Sequence, residues 1–250
     1  MGVSLSRYFN YILNHGWDSK TILGNWRLSE AAKATEAGRF LIKFAESAAN
    51  ESDAYLIGVF ADQNALINKD LPWRVFAPFW VRDEARHAEA FFRILIAANV
   101  DRPGDWFNKL KTEHSRLGEY RANVYDSLDV FRDPLHFWAA LALDEWNTTR
   151  EIAALAHLVN GELGEAPATL LKRVAADEAQ HFEYALAALA RFPLTEAEMA
   201  LGHVLGWVDE IEISSDRFMF DHEPVPGSTY SPDYQKTVDS ILSRLRKSHA

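Results

Sequence analysis

The chain has no cysteine among its 250 residues. That excludes disulfides, thiolate metal sites and cysteine nucleophiles, and it fits a reducing, cytoplasmic setting. Glycine (12) and proline (9) are scarce, and every proline but Pro78 falls between periodic runs or at the start of one. No apolar run approaches the roughly 18 residues needed to span a bilayer, so no membrane association is expected. "FWAALAL" (137–143) is the longest. The N-terminal stretch lacks a basic segment followed by an apolar one, so no secretory signal is expected. Positive charge is also short: a net charge of −10 argues against nucleic acid as a partner, because neutralising phosphates needs a basic surface.

Aromatic residues are plentiful: eight Trp and fifteen Phe promise an aromatic core. No strand-like alternation is sustained. Helical periodicity predicts an all-α chain of six to eight helices in a single domain. Its core should occupy about 29–192, followed by C-terminal helices and a tail over 193–250. Ser29 is placed to cap a long helix reaching the 60s. Further helices are expected at about 73–98, 105–127, 134–159 and 167–191, then from Thr195 to about 218, with a short basic one at the end. The four strongest form two pairs with short internal loops, the pattern of a four-helix bundle with flanking helices.

Two of those helices carry nearly the same five residues. "DEARH" occupies 83–87 and "DEAQH" occupies 177–181. Positions i and i+3 share a helix face. Glu84 and His87 therefore project together between Trp80 and Phe91, and Glu178 and His181 between Val174 and Ala185. Burying such groups without compensation costs several kcal/mol, and metal coordination removes that cost. A solvated surface pair would explain one copy. Two copies on core stripes of neighbouring helices point instead to a dinuclear metal site, completed by one carboxylate from each remaining helix. On the third helix Glu145 takes that place. On the first, Glu46, Glu51 and Asp53 all qualify, and mirror symmetry about the 68–73 loop slightly favours Glu51 or Asp53. Asp83 and Asp177, each just before a ligand Glu, are either surface charges or acceptors for the His of the opposite helix. His136 lies half a turn from the face of Glu145 and reads as non-ligating; His157 and His203 read as ordinary histidines without matched partners.

These residues resemble the soluble acyl-carrier-protein desaturases of the ferritin-like di-iron superfamily. The likeness covers roughly residues 40–220. It lies in "VAADEAQHFEYALAAL", in "WRVFAPFWVRDEARH" with Trp73 and Trp80 ahead of Glu84, and in Glu145 standing 33 residues before Glu178. The chain is shorter than the plant enzymes, mainly at its C-terminus and in the linking segments. The resemblance implies a ferritin-like fold and two iron ions held by Glu46, Glu84, His87, Glu145, Glu178 and His181. Thr148 then stands where the family has an active-site Thr, beside the oxygen-binding face, unless its hydroxyl only bonds back to a helical carbonyl. Asp177 joins it as a candidate catalytic residue. The resemblance further implies O2-dependent insertion of a double bond into an acyl chain on an acyl carrier protein, electrons from an external donor such as a ferredoxin, and a homodimer. Hydroxylation or N-oxygenation is the alternative outcome of the same core. An acidic carrier would need a local basic patch on this acidic chain. The candidates are Arg102, Lys109, Lys111, Arg116 and Arg121, and a C-terminal group of Arg244, Arg246 and Lys247.

Overall fold

The computed structural model describes residues 11, 16–49, 64–100, 132–214 and 234–249. Among them are eight helices and no strand: α1 (Ser19–Leu23), α2 (Glu30–Lys33), α3 (Glu36–Ala48), α4 (Leu71–Ala97), α5 (Pro134–Glu162), α6 (Glu165–Leu189), α7 (Leu194–Ser214) and α8 (Tyr234–His249). The all-α expectation holds. None of these helices is long and apolar enough to cross a membrane. The helix expected at 105–127 lies outside the described residues.

Local chemistry sets the helix starts. Asp18, Ser29 and Asp133 each accept a backbone N–H three residues on, from Thr21, Ala32 and His136, which satisfies a donor the helix itself leaves orphaned. Pro134 and Pro72 sit in the first turns of α5 and α4, where a missing N–H does no harm. Asp70, at the N-cap of α4, turns its carboxylate elsewhere. It accepts from the Trp138 indole at 2.7 Å and from both terminal nitrogens of Arg191 at 2.9 and 3.0 Å. One side chain thereby ties the start of α4 to α5 and to the end of α6.

The single long helix expected from Ser29 is broken. α2 ends after one turn, and Thr35 caps a new start, its hydroxyl accepting from Gly38 N–H at 3.1 Å. Threonine can offer the backbone this alternative to helix continuation. The turn is so tight that a Cβ built on Gly38 would lie 2.0 Å from the Ala32 carbonyl oxygen, so only glycine fits.

A short turn with Gly164 at φ 97° joins α5 to α6, a conformation that L side chains rarely adopt. It folds the two helices into an antiparallel hairpin, the most extensive helix contact among the described residues. α3 packs on α4 and α5, and α4 on α6.

Buried side chains form two apolar clusters. One gathers Trp73, Phe76 and Trp80 of α4, Phe137 and Trp138 of α5, Phe182 and Tyr184 of α6, and residues of α7 and α8. The other gathers Leu41 and Phe44 of α3, Phe91 and Ile94 of α4, Ile152 and Leu155 of α5, and Leu171 and Val174 of α6. On α4, α5 and α6 alike, the switch from one cluster to the other falls at the same level. That level holds Glu84 and His87, Glu145, and Glu178 and His181. A polar layer therefore lies between two apolar ones.

Candidate metal centre

Seven ionisable side chains occupy the layer: Asp83, Glu84 and His87 from α4, Glu145 from α5, and Asp177, Glu178 and His181 from α6. None is more than 7% exposed. Helical spacing accounts for the grouping, since i and i+3 put each Glu and His on one face, and the preceding Asp turns toward the neighbouring helix.

The carboxylates are shared in a regular way. Glu84 places Oε2 3.2 Å from His87 Nδ1 and Oε1 3.1 Å from His181 Nδ1. Glu178 mirrors it, with Oε1 3.0 Å from His87 Nδ1 and Oε2 3.1 Å from His181 Nδ1. Each of these two carboxylates thus gives one oxygen to each imidazole. Glu145 contacts the His181 side, its Oε2 3.3 Å from His181 Nδ1. Its Oε1 accepts from the Trp80 indole N–H at 2.7 Å. Glu84, Glu145, Glu178 and His181 bring ligand atoms within 4.8 Å of one another, a buried group that could hold a metal ion. His87 stands across the two shared carboxylates, with its ring centroid 5.9 Å from that of His181.

The two aspartates cross over, as one of the two sequence readings allows. Asp177 Oδ2 lies 3.3 Å from His87 Nε2, and Asp83 Oδ2 lies 3.5 Å from His181 Nε2. With Nδ1 turned to the shared carboxylates, the outer nitrogen of His87 donates to Asp177, which fixes the tautomer and the ring. Arg86 bridges the pair, with Nη2 2.7 Å from Asp177 and 3.0 Å from Asp83.

Two residues of the N-terminal segment complete this side. The Trp17 indole and the Tyr11 hydroxyl donate to Asp177 at 2.8 and 2.9 Å. The Trp17 ring is parallel to His87 at 6.2 Å, and the Arg86 guanidinium lies 4.7 Å over it. Sequence reasoning missed both residues. They lie in a segment of weak periodicity, and nothing local marks a contact more than 150 positions away.

Burial and charge set the protonation of the layer. Burial pushes Glu145 well above the usual carboxylate range, against the pull of His181. Burial also opposes the charged form of Glu178, but His87 and His181 override it and hold its carboxyl far below the usual range. For His87 burial acts downward, and Glu178 and Glu84 more than reverse it, raising the imidazole well above its ordinary value. Asp83 and Asp177 are likewise held low, despite burial, by His181 and His87 respectively, together with Arg86. The layer sets five buried carboxyl groups, those of Asp83, Glu84, Glu145, Asp177 and Glu178, against two imidazoles. Oxygen and imidazole donors of this kind suit iron, manganese or zinc, and divalent cations would neutralise the charge.

No family model, curated protein or solved structure matches this chain. Any assignment therefore rests on the residues themselves.

The remaining sequence candidates are dispersed. Glu46 is half-buried on α3 and stands outside the group of four that could hold a metal ion. Glu51 and Asp53 lie outside the described residues. Thr148 is half-buried one turn beyond Glu145, and the hydroxyl that bonds back to the Glu145 carbonyl, at 2.7 Å, is that of Thr149. His136 is no part of the layer, as expected. His203, expected to be an ordinary packed or surface histidine, is exposed and outside the layer; its Nδ1 lies 3.1 Å from His136 Nε2, and His136 Nδ1 lies 3.0 Å from Asp133. The imidazole planes differ by 5° with centroids 5.4 Å apart, so the rings meet end to end and not face to face. Of the C-terminal basic group, Arg244 is paired with Glu183 at 2.5 Å and Arg246 with Glu198 at 2.7 Å. These partners lower its value as a patch for an acidic carrier. The other basic group lies outside the described residues.

Proposed function

We propose that this chain is an O2-dependent di-iron oxidoreductase of ferritin-like, four-helix design that introduces a double bond into an acyl chain held on a carrier protein. The observation that carries the dinuclear reading is the sharing of Glu84 and Glu178, each offering one oxygen to the His87 side and one to the His181 side. The acyl substrate and the ferredoxin-type donor rest on the resemblance of the motif helices to the desaturases. When bound, iron would supply the redox chemistry, in which O2 becomes two waters by taking two hydrogens from adjacent carbons, two electrons from the outside donor and two protons.

The chain's own residues have separable tasks in this scheme. Glu84, Glu178 and the two Nδ1 atoms hold the pair of cations, and Glu145 completes the His181 side. Asp177 keeps His87 in the tautomer whose Nδ1 faces the centre, as Asp83 is placed to do for His181. The apolar clusters on both sides exclude water, which strengthens every charge interaction inside.

Anaerobic loading with Fe2+ is expected to reach two ions per chain. The loaded protein, given reduced ferredoxin and O2, should convert a saturated acyl carrier substrate to its unsaturated product. Oxygenated product would move the assignment to a hydroxylase, and a chain that takes up no more than one ion would overturn the dinuclear reading. Thr148→Val is expected to keep the iron content and to lower the product formed per O2 consumed. Unchanged coupling would make Thr148 an ordinary helix residue.

A further inference from the structure

Trp80 is the one indole among the described residues that donates to a carboxylate of the buried four-ligand group. It is 2% exposed, and its N–H reaches Glu145 Oε1 at 2.7 Å. Its ring is fixed from two sides, edge-on to Trp73 at 5.9 Å between centroids and nearly parallel to Phe76 at 6.1 Å. Trp73 makes a natural contrast. It is fully buried in the same cluster, yet its Nε1 has no hydrogen-bond partner among the described residues. The three glutamates divide along the same line. Glu84 and Glu178 each use both oxygens on the two imidazoles. Glu145 presents Oε2 to His181 and has Oε1 occupied by the indole.

We propose that Trp80 is a positioning residue: its indole N–H holds one oxygen of Glu145, so that this carboxylate serves the His181-side ion through the other oxygen alone. This rests on the metal-centre reading above. A carboxylate free to turn can chelate one ion with both oxygens or bridge two, and either mode would fill a coordination position. Holding Glu145 to one oxygen keeps that position open for O2 or a substrate atom beside His181.

The test is an anaerobic titration with Co2+, followed by calorimetry and by its visible absorption, in the unaltered chain, Trp80→Phe and Trp73→Phe. Trp80→Phe keeps an aromatic ring in the cluster and removes only the donor. It is expected to weaken Co2+ binding by about 10–100-fold, the usual cost of losing a hydrogen bond to a ligand. It should also reduce the intensity of the visible bands as Glu145 closes onto the ion with both oxygens. Trp73→Phe removes an indole of the same size with no ligand contact and should leave affinity and spectrum as they were. Independently of any variant, the Trp80 indole proton in the Co2+-loaded chain should show the largest paramagnetic shift of all the indole protons. Identical affinity and spectrum in Trp80→Phe, or the largest shift on another indole, would overturn this inference alone. Failure of the unaltered chain to bind Co2+ would overturn the metal centre and this inference with it.

Discussion

Glu178→Gln is expected to abolish binding at both metal positions, whereas Glu145→Gln should abolish it at only one. Glu178 supplies an oxygen to each side of the layer, at 3.0 Å from His87 Nδ1 and 3.1 Å from His181 Nδ1. Glutamine is nearly isosteric but uncharged, so both ions lose an anionic ligand. The loss should exceed the roughly 10–100-fold that removing an outer hydrogen-bond partner costs. Glu145 approaches His181 only, so its amide should reduce stoichiometry toward one ion per chain. Thermal unfolding reads the same contrast. At a metal concentration of about 100 times Kd the unaltered chain gains roughly 2.7 kcal/mol for each bound ion, and Glu178→Gln should gain none. The metal-free variant has its own pH signature. Glu178 is the leading cause of the raised His87 value, ahead of Glu84 and against burial. A raised imidazole contributes stability that is fully present below its unfolded value of about 6.5 and is lost as pH rises through the folded one. The destabilisation of metal-free Glu178→Gln should accordingly be largest at pH 6 and fade at alkaline pH. Retention of two ions per chain by Glu178→Gln would show that the shared carboxylates are not the ligands.

The sequence was most informative where side chains repeat with helical period. The doubled Asp-Glu-x-x-His motif and the 33-residue step from Glu145 to Glu178 are local patterns. The structure brings those residues into one layer because i and i+3 on α4 and α6, and one position on α5, sit at the same height between two apolar clusters. The extents of α4, α5 and α6 follow from Asp, Pro and Gly punctuation, and each expected boundary falls within three residues of the observed one. The contacts that support the layer were less legible. The Trp80 bond to Glu145, the Asp70 clasp on Trp138 and Arg191, and the approach of Tyr11 and Trp17 to Asp177 join residues 65 to 166 positions apart. Each uses a side chain that periodicity reads only as buried aromatic or surface charge. The break at Thr35 was legible in principle: a threonine followed at once by an acidic residue, Glu36, is a helix-start signal, which the amphipathic pattern running through it concealed.

Arg86→Met is expected to destabilise the metal-free chain by about 3 kcal/mol at neutral pH, more than an ordinary surface substitution. Arg86 is 23% exposed at its side chain and joins two buried aspartates on neighbouring helices, Asp177 (0%) and Asp83 (2%). Methionine keeps much of the apolar stem and removes the charge, together with the guanidinium that lies 4.7 Å over the Trp17 ring. What remains is two like charges in a buried layer. Asp83 keeps Arg82 at 3.0 Å and His181 at 3.5 Å, and Asp177 keeps Trp17, Tyr11 and His87. These contacts hold the loss to a few kcal/mol. The sign of the pH dependence follows from the aspartates. Both have folded values below the ordinary one, with Arg86 among the causes. The stability they contribute is present above the unfolded value of about 3.9 and is lost as pH falls through the folded values. In Arg86→Met the folded values rise toward or past the unfolded one, so the difference between variant and unaltered chain should be full at pH 7 and much smaller at pH 3, where the pH has fallen below the unfolded value toward the low folded values of the unaltered chain. Urea unfolding at the two pH values measures it. A loss independent of pH would mean that Arg86 acts through packing on Trp17 and not through the aspartates that orient the histidines.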